Sequence, residues 1–333
     1  MASVPIRPDV PSLTRKGNPA LTLIAVCFGL FMVGLDSTVV HIANPAIQAD
    51  LTATFGELQW VINAYLLALA VCLIPAGKLG DRFGRKKMYI LGVVLFAITS
   101  VAIGLIGSIE GVLVFRALQG VAAAMLMPQT IALLRSTFPR EKFGMAVGIW
   151  GGVSSVSIAG GPLVSGLLVQ SLGWEWIFYI NVPIAVLGII IAALVIRETP
   201  VEKGGGVDIL GILLLAGALF AVVFAVVQAQ SWGWSSVATI GVLAAAIVLF
   251  ALFVVVESRV KNPLIPLSLF TTAGVSVGGL VFLANFFAIL GVTFLLTLFL
   301  MNSLGNGTAT AGLMMLPMSA FAIPSAPLGA LLT

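Results

Sequence analysis

Ten apolar runs divide this chain, at roughly 20–44, 58–77, 88–107, 111–134, 144–171, 175–196, 209–230, 236–256, 272–300 and 309–333. Each is long enough to cross a bilayer, whose ~30 Å hydrocarbon core takes about 20 helical residues. Strands of a membrane barrel would instead alternate apolar and polar residues over about 10 positions, and these runs do not alternate. Gly and Pro recur inside them, as in "IAGGPLVSGLL", which neighbouring helices in a membrane bundle tolerate. Only 8% of the residues are charged and 60% are apolar, whereas soluble domains are about a quarter charged. The expected fold is all-α, a polytopic membrane helix bundle.

Basic residues orient the bundle. With the N-terminus cytoplasmic, every one of the 16 Lys and Arg except Arg116 falls on the inner side, from Arg7 to Lys261. The outer side holds Asp50, Glu57, Glu110 and Glu175 and no basic residue. A miscounted helix would scatter positive charge on both sides, so the count and the orientation support each other. The formal net charge of +4 therefore describes topology, and no nucleic-acid partner is expected. Residues 1–17 are polar and do not read as a signal peptide. Cys27 and Cys72 lie in apolar runs and read as packing residues. With a single His in the chain, no metal or other cofactor is expected.

An ionisable group inside a span costs a few kcal/mol and points to function. Two lie away from the helix ends. Asp36 sits in the first span, about 8 residues or roughly 12 Å from its outer end, and Arg116 in the fourth, roughly 9 Å from its outer end. Opposite charges at similar depth are expected to face a shared polar interior and to pair, directly or through water. Two bland readings stay open: a purely structural ion pair, and an Arg116 side chain that extends outward to the surface. A buried acid suits proton coupling, because its affinity for a proton can change with the direction in which the site opens.

Between the second and third runs stands "GKLGDRFGRKK", Gly77 to Lys87, which reads as a short inner loop. Topology accounts for Gly and for Arg and Lys there, but not for an Asp between Gly-flanked basic residues. The order resembles the loop signature of the major facilitator superfamily. "LDSTVVHIANPAI" resembles the first-helix signature of its fourteen-span drug:proton antiporter family, the EmrB/QacA type. "RALQGVAAA" resembles that family's proton-coupling motif in helix four, "GGPLVSGLL" its antiporter motif in helix five, and "WEWIFYINVPI" the start of helix six. The resemblance runs from about residue 20 onward.

It implies a major facilitator fold and assigns roles by match. Asp36 and Arg116 would couple protons. Gly77, Gly80, Asp81, Arg82, Gly84, Arg85 and Lys86 would form the gating loop, with Asp81 and Arg85 locking one conformation through contacts between the two halves. Gly161, Pro162 and Gly166 would bend helix five, limit leakage and so favour exchange; by themselves they also read as a plain packing kink that allows close helix contact. Trp174, Trp176 and Tyr179 read as interfacial anchors. This chain departs from the pattern at His41, Asn44, Ser165 and Glu175. His41 lies about 140° round the helix from Asp36 and is not expected to share its face.

The expected organisation is a cytoplasmic tail (1–19), a six-helix bundle (20–196), a charged, Gly-rich linker (197–208), two extra helices (209–257), a cytoplasmic loop (258–271) and the first two helices of a second bundle (272–333). The inserted pair favours the fourteen-span subgroup. The second half of such a carrier holds six helices, so the chain is expected to be cut short after about ten; the rival is a ten-span protein that dimerises. The expected function is proton-driven export of lipophilic, cationic small molecules across a bacterial inner membrane, not enzymatic. The alternatives are export of an endogenous metabolite or siderophore, and a receptor or scaffold. Partners are the substrate, protons and lipid; a periplasmic adaptor protein is left open, since no residue pattern argues for one. Asn306 opens "NGT" and reads as a turn.

Overall fold

The computed structural model describes residues 18–199, 208–260, 263–304, 310 and 314, and all regular structure among them is helical. In chain order the helices are α1 (Pro19–Leu51), α2 (Phe55–Phe83), α3 (Arg85–Leu105), α4 (Ile109–Thr137), α5 (Arg140–Ser171), the single turn α6 (Trp176–Tyr179), α7 (Asn181–Val195), α8 (Ile209–Trp232), α9 (Val237–Glu257) and α10 (Ala273–Leu298). Eight spans among the described residues are long and apolar enough to cross a membrane, with α6 and α7 together forming one of them. The ninth expected run is α10. The tenth, 309–333, lies outside the described residues except at 310 and 314, as do Asn306, residues 1–17 of the tail and most of the 197–208 linker.

Local chemistry sets the ends. Asn18 caps α1, its Oδ1 accepting from Ala20 N at 3.1 Å with Pro19 in the first helical position. Thr54 and Glu57 form a reciprocal capping box on α2, with Thr54 N to Glu57 Oε2 at 2.7 Å and Glu57 N to Thr54 Oγ1 at 3.3 Å. Several helices outrun their apolar runs; α1 continues to Leu51 and α2 spans Phe55–Phe83. Hydropathy marks the part of a helix that meets lipid, whereas backbone hydrogen bonding carries on into water.

The same reasoning corrects the expected loop at Gly77–Lys87. Almost all of it is helical, and α2 passes into α3 through one residue, Gly84, at φ 106°. Glycine adopts that angle without strain. The run at 175–196 is likewise interrupted at Ile180, between α6 and α7. Pro183 has no N–H to return to the preceding turn.

α1 to α7 pack as one bundle, with α1 against α4, α5 and α7, and α4 against α2 and α3. Its interior has two apolar layers. One, nearer the basic helix ends, contains Met32, Tyr89, Phe96, Leu126 and Leu133. The other, towards the opposite end, contains Leu35, Val39, Ile47, Val61 and Phe178. Lipid supplies no hydrophobic drive for helix association, so close packing of small residues must do the work. At Gly120 of α4, an added Cβ would stand 2.3 Å from the Tyr65 carbonyl oxygen of α2. On α5, Gly161 lies hard against Thr38, while Ser157 meets Gly34 and Ser165 Oγ donates to the Val39 carbonyl at 2.7 Å. Ser157, Gly161 and Ser165 recur every fourth residue and make one seam along α1.

α8 and α9 form a hairpin whose α8 rests on α2. Trp60 of α2 stacks with Phe220 at 5.9 Å, which stacks with Phe224 at 5.6 Å, and Phe224 meets Trp232 edge-on. At the basic end, Lys78 Nζ donates to the Pro263 carbonyl, and Glu257 accepts from Leu264 N and Ile265 N at 3.0 and 3.2 Å.

These contacts make the glycines unequal. Gly120→Ala should destabilise the protein by about 1–3 kcal/mol, because backbone rather than a movable side chain opposes the new methyl. Gly166, with nothing within 4 Å of an added Cβ, should accept Ala within about 0.5 kcal/mol. Thermal unfolding of both variants in detergent measures the difference.

Candidate functional site

Between the two apolar layers the bundle encloses a polar network. Asp36 of α1 is 0% exposed and Arg116 of α4 is 1% exposed. Arg116 Nη1 donates to Asp36 Oδ2 at 2.6 Å. Asp36 and Arg116 thus meet at one depth, and the arginine turns inward rather than reaching a surface. Three residues along α4, on the same face, Gln119 joins them: its Oε1 accepts from Arg116 Nη1 at 2.6 Å, and its Nε2 donates to Asp36 Oδ1 at 3.2 Å and Ser100 Oγ at 2.7 Å. Asn181, at the start of α7, donates from Nδ2 to Asp36 Oδ1 and to Ser100 Oγ, both at 3.2 Å. Arg116 Nε reaches across to the Val61 carbonyl of α2 at 2.9 Å.

Removing two charges from water costs several kcal/mol per ion, which their attraction offsets only when the remaining donors and acceptors are satisfied. Here the satisfaction is dense. Asp36 accepts three hydrogen bonds from two helices, and the Arg116 guanidinium lies 4.3 Å from the Tyr65 ring centroid and 5.9 Å from that of Phe178. A cation over an aromatic face gains about 2 kcal/mol or more when desolvated. Asn181 Oδ1 and Tyr65 Oη, both buried, have no hydrogen-bond partner among the described residues. Sequence alone singles out the two charges but not Gln119, Ser100, Asn181 or Tyr65. Gln119 and Asn181 stand inside quoted motifs, and a neutral amide within a motif was the available signal. Ser100 and Tyr65 carry none.

The other candidate residues lie elsewhere. At the α2–α3 corner, Arg85 pairs with Asp81 at 2.8 Å, one turn away, and donates to the Ala132 carbonyl of α4 at 3.4 Å. Gly80 faces the Gln129 side chain and Gly77 meets Pro128 at ordinary contact. Arg82 lies over the neighbouring Phe83 ring at 5.4 Å. Lys86 Nζ donates to the Ala193 carbonyl at 2.7 Å. Glu198, just past α7, caps α3 by accepting from Lys86 N at 3.0 Å and Lys87 N at 3.2 Å. A groove of about 740 Å³ opens there, lined by Lys86, Lys87, Leu91, Leu194 and Arg197 among others.

On α5, Gly161 makes the close approach expected of the Gly161–Pro162–Gly166 motif, but Gly166 does not; Ser165, the departure from the pattern, takes that contact. Pro162 lies within α5. His41 is exposed while Asp36 is buried, so the two occupy different faces of α1. Trp174 corrects the reading of an interfacial anchor. It is 4% exposed, packs edge-on to Phe178 and donates from Nε1 to Asp50 Oδ2 at 3.0 Å. Trp176, 45% exposed, does face outward beside Tyr179. Glu175 is half-buried at the start of α6, and Cys27 and Cys72 are free thiols.

The pair should behave as a thermodynamic unit. Arg116→Leu removes the counter-charge and one of the three hydrogen bonds that Asp36 accepts and should cost about 3–5 kcal/mol, and adding Asp36→Asn should recover most of it. Thermal unfolding of the single and double variants in detergent tests this coupling.

The model of the Major Facilitator Superfamily matches residues 26–208, which holds every side chain of the network. The chain is 45% identical to the tetracenomycin C resistance and export protein of Streptomyces glaucescens, over 95% of this chain and 59% of that one. It is 38% identical to the multidrug resistance protein Stp of Mycobacterium tuberculosis, over 92% of this chain and 58% of that one. It therefore spans somewhat more than half the length of these relatives. Among solved structures it resembles the proton:xylose symporter XylE, with a TM-score of 0.65 over 94% of this chain and 68% of that one, at 14% identity, a likeness of fold alone. This multi-pass membrane protein belongs to the Major Facilitator Superfamily.

Proposed function

We propose that this chain forms the proton-binding part of a drug:proton antiporter that exports lipophilic, cationic small molecules across a bacterial inner membrane. The observation that carries the reading is the enclosed network around Asp36. It is an acid held between two apolar layers, at a depth where charge without function would be hard to justify. The relatives' names, resistance and export for one and multidrug resistance for another, support efflux. In this reading Asp36 exchanges the proton and Arg116 adjusts its hold on it. The Gly77–Lys87 corner gates the movement, and Gly161 and Pro162, with the α5 seam, limit leakage. The basic helix ends, including Arg135, Arg140 and Lys142, face the cytoplasm together with the N-terminus.

α8 and α9, inserted after the first seven helices and docked through α8 on α2, fit the fourteen-span subgroup. We read α10 as the opening of a second bundle in a longer protein, with the substrate site between the halves, as alternating access requires. A second reading, export of a single endogenous compound, is favoured by relatives named for individual antibiotics, such as the methylenomycin A resistance protein and the probable actinorhodin transporter of Streptomyces coelicolor. A substrate panel separates the two readings.

Antiport is tested with the complete polypeptide in proteoliposomes. Asp36→Asn should abolish transport driven by a pH gradient while downhill substrate exchange without a gradient persists. Export that still follows the pH gradient in Asp36→Asn would overturn the reading.

A further inference from the structure

Asn181 makes two donor contacts and leaves its acceptor idle. Its Nδ2 reaches Asp36 Oδ1 and Ser100 Oγ, while Oδ1, fully buried, accepts nothing from the described residues. This orientation is imposed by Asp36. An ionised carboxylate only accepts, so the amide must turn its NH2 towards it. A buried acceptor without a donor costs about 1–3 kcal/mol, and such groups are rare in folded proteins.

We propose that Asn181 is a positioning residue that reads the protonation of Asp36, its amide turning over when the acid takes a proton. The inference rests on the reading that Asp36 exchanges protons. Asp36 Oδ2 is held by the Arg116 cation at 2.6 Å, whereas Oδ1 meets only the neutral amides of Gln119 and Asn181 at 3.2 Å, so Oδ1 is the oxygen that takes the proton. Its new O–H then finds the turned Asn181 Oδ1 as acceptor. Ser100 completes the exchange. Its Oγ accepts from Gln119 and Asn181, and once the amide has turned, its hydroxyl can donate to Asn181 Oδ1 instead. No bond other than O–H is made or broken, and the proton comes from the aqueous phase.

The surroundings keep this switch specific to Asp36. The groups around the Asp36–Arg116 pair are Tyr65 from α2, Ser100 from α3, Gln119 from α4, Phe178 from α6 and Asn181 from α7. None of these is a second carboxylic acid, and His41, also on α1, lies on an exposed face. The position also has reach. Asn181 opens α7, and just beyond the other end of α7, Glu198 holds the first amides of α3 at the Gly84 corner. One helix thus joins Asn181 to the segment proposed to gate the movement.

Difference infrared spectroscopy between high and low pH tests this on the complete protein in lipid, with isotope-labelled asparagine. In the wild type, a carboxylic acid C=O band and a change in a labelled amide band should appear over the same pH interval. Asp36→Asn should remove both. Asn181→Leu, similar in size but without donor or acceptor, should remove the amide change and move the acid band to higher wavenumber, towards an unbonded acid. Asn181→Ser, which can both donate and accept, should hold the band near its wild-type position. An acid band that depends on Asp36 but stays in place in Asn181→Leu, or that appears with no change in labelled amide, overturns the role of Asn181 and leaves antiport standing. An acid band unaffected by Asp36→Asn overturns the proton-exchange reading itself.

Discussion

The Asp36–Arg116 pair is the constraint from which the rest of the bundle follows. Two charges with 0% and 1% exposure can persist in a membrane interior only if several helices turn polar groups towards them at once. Five elements do so: α1 supplies the acid, α4 the guanidinium and Gln119, α3 Ser100, α7 Asn181, and α2 a backbone carbonyl and an aromatic face. Arginine rather than lysine suits this point, since its planar fork serves Val61, Asp36 and Gln119 together while its face stacks on Tyr65.

Bringing those helices close enough is a steric problem, and small residues solve it. Gly120 lies one residue beyond Gln119, and it lets α4 approach the α2 backbone where Arg116 must reach the Val61 carbonyl. A bulkier residue there would push α2 and α4 apart just where the network joins them. Packing and electrostatics are therefore one design: the contact that shortens the helix separation is the contact that satisfies the buried charge.

How legible this was in the sequence varies with the kind of signal. The spans could be read because a run of about twenty apolar residues suits a bilayer and little else, and Asp36 and Arg116 because a charge within such a run is an outlier. Helix ends were not readable from hydropathy, as the helical Gly77–Lys87 corner shows, because backbone hydrogen bonding ignores the membrane boundary. Ser100 and Tyr65 escaped because neutral polar and aromatic side chains are ordinary in a span, and only three-dimensional convergence distinguishes them. Trp174 misled for a related reason. A tryptophan near a helix end usually anchors at the interface, but here the ring is buried against Phe178 and its indole N–H donates to the exposed Asp50 carboxylate.

The network also ranks the helices by how freely they can move. Among α1 to α7, α5 is the long helix from which no described group joins the network around Asp36 and Arg116. It is tied to α1 instead through Ser157, Gly161 and one hydrogen bond from Ser165. Sliding α5 along that seam exchanges one van der Waals contact for another, whereas shifting α4 or α7 strips hydrogen bonds from a buried charge. If a bundle of this kind is to open a path to its acid, the seam between α1 and α5 is where the opening meets least electrostatic resistance. The departure from glycine at Ser165 then has a cost and a use: its hydroxyl adds one directional bond to a seam that otherwise has none, giving the sliding helix a defined resting position.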